Sequence, residues 1–170
     1  MFELHNIESP EEVIRAVAED VDRLVALDLP FRGVAWRLYR DARAKVDAPL
    51  SYLAASALFQ ALGPGDVVLI NTGWPDRPHI NPSIAETDGP PGAAALGLAL
   101  HKAAGAVPVF LVEEVLTPAM VTIGAAAGFK MLPPSQAGAA SSSRAPLHAA
   151  AALGFPADED GAERYSASLL

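Results

Sequence analysis

Two acids, a hydroxyl and two glycines crowd the stretch Glu86-Thr87-Asp88-Gly89-Pro90-Pro91-Gly92. Carboxylates at this density can take up a proton, hold a hard cation or face an ammonium group. Glycine lets the backbone approach a ligand closely, and amides at a helix start attract anions. Helix capping alone would need one acid, worth about 0.3–1 kcal/mol. Two acids flanking Thr87 exceed that need. The stretch contains no Gly-x-Gly-x-x-Gly and no Gly-Lys-Ser/Thr, so the fingerprints that cradle phosphates are absent. Pro90 and Pro91 lack amides, and Glu86 and Asp88 repel anions. A small amino acid suits these groups better than a phosphate does: the acids face its ammonium and the amides its carboxylate.

The flanking residues show what must position this stretch. Upstream, Val67-Val68-Leu69-Ile70 is a continuous apolar run. It reads as a strand covered on both faces, as in parallel sheets. Asn71-Thr72-Gly73-Trp74 follows at its carboxyl end. Residues 74–84 carry Pro75, Pro78 and Pro82 and read as a long loop, the kind that serves as a lid or binding loop; His79 within it is expected to be solvated. Downstream, residues 93–104 read as a helix opened by Pro90 or Pro91 and ended by Gly105. Val107-Pro108-Val109-Phe110-Leu111-Val112 reads as the next buried strand. Strand, loop, helix, strand makes a βαβ unit, whose ligands sit beyond the carboxyl ends of the strands. Glu86, Asp88, Thr72 and Gly73 are therefore expected at one sheet edge.

The remaining chain builds around that unit. Ser9-Pro10-Glu11-Glu12 starts a helix that ends near Leu27, with Val13, Ile14, Val17, Val21, Leu24 and Val25 at helical spacing. Its other face, with Arg15, Glu19, Asp22 and Arg23, reads as solvated. Arg32-Gly33 after Phe31 forms a turn, and Arg32 could fork onto a carboxylate. Residues 34–45, with Leu38 and Tyr39 inward, and residues 50–62 read as two more helices. Thr117-Pro118 caps a helix over residues 119–127, and residues 129–132 form a short strand. Residues 133–145 read as a flexible loop, residues 147–153 as a short helix, and Asp158-Glu159-Asp160 as a solvated helix start. The fold class expected is α/β: an open, mainly parallel, Rossmann-like three-layer sheet flanked by helices and preceded by N-terminal helices, in one domain over residues 1–170.

Composition narrows the function. The chain has 170 residues, a net charge of −8 and no cysteine. A negative surface repels nucleic acid and anionic lipid. The absence of cysteine excludes disulfides, thiolate metal sites and a cysteine nucleophile. Residues 1–6 lack a basic and then apolar leader, and no apolar run spans a bilayer. A soluble, cytoplasmic protein is expected, with neither nucleic acid nor membrane as partner.

The run Glu86-Thr87-Asp88-Gly89-Pro90-Pro91-Gly92-Ala93 resembles the signature loop of the D-glutamate cyclase C-terminal domain family. Arg32-Gly33, Pro49-Leu50, Asn71-Thr72-Gly73-Trp74 and Gly105 add to a resemblance over residues 29–128. Ala85 stands where the family often carries glycine. The resemblance implies a lyase that converts D-glutamate to 5-oxo-D-proline and water. In that reaction the α-amine attacks its own γ-carboxyl carbon, so holding a near-attack shape is much of the task. Glu86 and Asp88 are the candidate acid and base, with like charge splitting their pKa values if they lie side by side, and Thr87 stands between them. Thr72, Gly73, Gly89 and Gly92 are candidates to bind substrate and stabilise an oxyanion, and Arg32 to hold a carboxylate. A magnesium or manganese ion on Glu86 and Asp88 would replace the protein acid.

Two further readings stand beside the lyase. One is a module that binds a small acidic metabolite or a divalent metal without turning it over. The other is an inactive fragment that associates with a partner or with itself through an apolar end at Leu169 and Leu170. The resemblance implies a family domain that continues well past residue 170, and hence an incomplete domain with weak or no turnover of D-glutamate and low stability.

Overall fold

A computed structural model describes residues 9–29, 32–141 and 147–169. The leader reading at residues 1–6, Phe31, residues 142–145 of the expected loop, and Leu170 lie outside the described residues, as does the side chain of Leu169. The chain divides into two compact units, Met1–Ala61 and Leu62–Leu170.

The first unit holds three helices, α1 (Pro10–Val25), α2 (Val34–Arg43) and α3 (Leu50–Ala61). Ser9 caps α1 by accepting from the Glu12 amide at 3.3 Å. The apolar period of α1 is present, yet Ile14, Val17, Leu24 and Val25 are exposed, as is Leu38 of α2. Asp22 corrects the solvated-face reading in the opposite direction. It is 2% exposed, and its carboxylate accepts from the Leu50 amide at 2.6 Å and the Ser51 amide at 2.9 Å. Those amides open α3 and have no partner within the helix, so Asp22 caps one helix from another.

The second unit is an α/β fold with a four-stranded, wholly parallel sheet. Its strands are β1 (Val67–Asn71), β2 (Val107–Glu113), β3 (Lys130–Met131) and β4 (Ala149–Phe155), in the order β1-β2-β4-β3. Helix α4 (Gly89–Ala104) links β1 to β2, α5 (Thr117–Ala126) links β2 to β3, and α6 (Pro134–Ser141) links β3 to β4. Helix α7 (Glu159–Leu169) follows β4. The last connection runs back across the sheet, and a right-handed crossover in that direction must use the opposite face. Accordingly, Ile70, Phe110, Val112 and Ala150 pack with Ala93 and Ala94 of α4 and Met120 of α5. Val107, Val109, Ala149 and Ala151 pack with Ala137 of α6. A Cβ on Gly97 of α4 would meet Phe110 at 3.0 Å and Pro108 at 3.1 Å, so glycine lets this helix lie close on the sheet.

Four local readings change. Residues 149–155 are a strand, not a helix: alanine is the best helix former, but propensity is a small effect, and here burial between two helical layers overrides it. Residues 134–141 of the expected loop form a helix, with Ala137 fully buried. Helix α5 is preceded by a turn at Glu114–Leu116, so Thr117 already has helical dihedrals and Leu116 stands at the cap position. Strand β1 is covered on one face only. It lies at the sheet edge, and Val67 and Leu69 are exposed while Ile70 is buried.

Candidate functional site

Three strand ends and one loop enclose a cavity of about 710 Å³. From β1 and the turn after it come Asn71, Thr72, Gly73 and Trp74; from the end of β2 come Val112 and Glu113. Phe155, Pro156 and Ala157 close the side beyond β4, and Glu86 enters from the loop before α4. Parallel strands all finish at the same sheet edge, which is why these distant segments meet. The cavity is built within the α/β unit.

Gly73 makes the sharp exit from β1. Its φ is 85°, and a Cβ there would meet Val112 at 3.1 Å, so both backbone and packing demand glycine. The Thr72 amide donates to the Leu111 carbonyl at 2.9 Å, tying this turn to β2. The Glu86 amide donates to the Trp74 carbonyl at 3.0 Å, which holds the acidic loop beside the strand end.

Gly89 sits at the centre of the polar groups. A Cβ there would lie 3.1 Å from Glu86 Oε2, 3.2 Å from Thr72 Oγ1 and 4.0 Å from the Gly73 amide nitrogen. Glu86, Thr72, Gly73 and Gly89 are therefore brought together. Among the described residues, the Glu86 carboxylate, the Thr72 hydroxyl and the Gly73 amide hydrogen have no hydrogen-bond partner. Oxygens and an amide left free in this way can serve a ligand.

Within the α/β unit, Asp88, Thr87 and Gly92 do not line the cavity. Asp88 is exposed and caps α4, accepting from the Gly89 amide at 3.1 Å. Thr87 is exposed, and neither it nor Asp88 lines the cavity. Gly92 is exposed with nothing within 4 Å of a Cβ built on it. Arg32 belongs to the helical unit, on an exposed turn before α2. The second acid of the cavity is Glu113, which reading of the sequence passed over. An acid ending the second buried run was the available signal. Phe155 and Pro156 were hidden by the helical reading of residues 147–153.

Among the described residues no three His, Asp or Glu side chains converge as a metal cluster. Glu86 and Glu113 are the carboxylates that line the cavity, a donor set suited to a magnesium or manganese ion that keeps several waters. No helix among the described residues is long and apolar enough to cross a membrane.

The profile of the family described as D-glutamate cyclase-like, C-terminal, matches residues 21–168. That match extends beyond residues 29–128 at both ends and takes in β4 and α7. No curated protein and no solved structure matches the chain.

Proposed function

The chain belongs to the D-glutamate cyclase-like C-terminal family, and we propose from that premise that it is a lyase closing D-glutamate to 5-oxo-D-proline. The observation that carries this reading is the placement of Glu86 Oε2 and Thr72 Oγ1 just over 3 Å from one point above Gly89, both without a partner among the described residues. A base and a polarising donor are thus left available at a strand-end cavity.

The substrate enters as an ammonium with two carboxylates. Glu86 takes a proton from the ammonium and frees the amine. The nitrogen attacks the γ-carboxyl carbon within the same molecule, where proximity supplies much of the rate. The new C–N bond leaves negative charge on oxygen, which the Thr72 hydroxyl and Gly73 amide stabilise. A second proton then leaves nitrogen and the C–O bond breaks. The two protons lost by nitrogen depart on that oxygen as water, so the step balances. Glu113, lining the same cavity, is the acid that returns a proton to the leaving oxygen. Glu86 and Glu113 would hold a magnesium or manganese ion, and such an ion would supply the same polarisation.

The test is 5-oxoproline formation from D-glutamate by the purified chain, with and without manganese. Turnover should fall by about 10²–10⁴-fold in Glu86→Gln, the usual share of a general base. Equal turnover in Glu86→Gln, or no product from the native chain under either condition, rejects the lyase. Saturable binding without product would assign the chain to the binding-module reading.

A further inference from the structure

The acids of the cavity leave an electrostatic problem. Glu86 and Glu113 match an ammonium, but D-glutamate also carries an α-carboxylate that does not react. Backbone amides can face that charge, but a guanidinium meets it with stronger, charge-assisted hydrogen bonds. Among the described residues, none that lines the central cavity is a lysine, an arginine or a histidine. A neighbouring cavity of about 440 Å³ shares Trp74 and Glu113 with it and adds Arg77 and His79.

Arg77 lies on the loop between β1 and the acidic stretch. The loop is closed at its base by a bridge between Pro75 and Ala85 and by the Asp76 amide donating to the Ile84 carbonyl at 2.8 Å. Its last rung is the bond from the Glu86 amide to Trp74, so the loop and the Glu86 carboxylate share one anchor. Among the described residues Arg77 alone, apart from glycines, has a positive φ, at 58°. Its carbonyl accepts from the Ile80 amide at 2.9 Å and the Asn81 amide at 3.3 Å, which hold that turn. A residue with a Cβ in this conformation costs stability relative to glycine. Its guanidinium makes only a 3.9 Å ion pair with the neighbouring Asp76 and stays 69% exposed.

We propose that Arg77 is the specificity residue of the site, holding the α-carboxylate of an acidic amino acid at the rim where the two cavities meet beside Glu113. This rests on the lyase reading above. Guanidinium matches a carboxylate through two parallel N–H donors, and the closed loop base sets its reach relative to Glu86. His79, lining the same rim, offers a further donor.

The test pairs a deletion in the ligand with a deletion in the protein. Titration calorimetry on the full chain uses D-glutamate and 4-aminobutyrate, which is the same molecule without the α-carboxylate. Arg77→Gly removes the guanidinium and keeps a residue at ease at positive φ, so folding is preserved; an unfolding midpoint at or above that of the native chain checks this. The native chain should prefer D-glutamate by at least about 10-fold, within the range of one charge-assisted pair. Arg77→Gly should lose that preference by weakening D-glutamate alone, and Arg77→Lys should recover part of it. An Arg77→Gly chain that binds D-glutamate as tightly as the native one, or loses both ligands equally, overturns the assignment while leaving the lyase standing. A native chain that binds neither ligand overturns both.

Discussion

Asp22 in the helical unit and Glu86 in the α/β unit are the same chemical group in opposite surroundings. Asp22 is buried, and both of its oxygens accept backbone amides at the start of α3. Glu86 is exposed at a cavity wall, and its carboxylate has no partner among the described residues. A carboxylate whose acceptor sites are filled by its own chain joins two helices and has nothing left for a ligand. One that is held in place through its backbone, with its side chain open to solvent, contributes little to stability and leaves its oxygens accessible to a ligand. Burial and the hydrogen bonds made by the chain together separate the two.

That contrast can be broken by mutation. The largest loss of stability is expected for Asp22→Ala, which leaves the Leu50 and Ser51 amides without their acceptor. The cost should be about 2–3 kcal/mol, read as a lowered urea midpoint of the helical signal in circular dichroism. An unchanged midpoint would mean that the caps are dispensable. A pH series gives the next effect. Burial pushes the Asp22 carboxyl up, but hydrogen bonds from Ser51 and Leu50 and the charge of Arg43 outweigh it and hold the group below the usual aspartate range. A folded pKa below the unfolded one means stability that is present above about pH 4 and lost as pH falls further through the folded value. The native chain should therefore weaken on acidification below pH 4 more than Asp22→Asn does; parallel curves would contradict this. The smallest effects sit in the acidic loop. Asp88→Ala should cost about 1 kcal/mol as the lost cap of α4, and Glu86→Ala less than about 0.5 kcal/mol. Thermal unfolding of both variants would show whether this order is reversed.

Much of the α/β unit was legible because its signals are local. Gly105 ends α4 with φ at 71° and its amide on the His101 carbonyl at 2.9 Å, as a left-handed cap does. The apolar run of β2 is buried as expected. The equally apolar run of β1 is half exposed, because composition reports a strand but not its rank in the sheet. The alanines of β4 carry helix propensity, and only their place between β2 and β3 makes them a strand. The site divided in the same way. Glu86, Thr72 and Gly73 follow from strand ends in one βαβ unit. Glu113 needed the same rule applied to the second strand. Asp88, two residues from Glu86, is turned aside by the helix it begins, a distinction that spacing alone does not make.

The closed base of the loop after β1 also has an evolutionary consequence. Its tip, with Arg77 and His79, hangs from a bridge that already sets Trp74 and Glu86 in place. Lengthening or shortening the tip changes closure entropy by only about 0.6 kcal/mol per doubling of length, and it leaves the strand ends where they are. If Arg77 holds the substrate as proposed, preference among substrates would drift by insertion and deletion in this one segment while Glu86 and Thr72 stay in place. Under the proposed assignment, choice of substrate and chemistry would rest on separately adjustable parts.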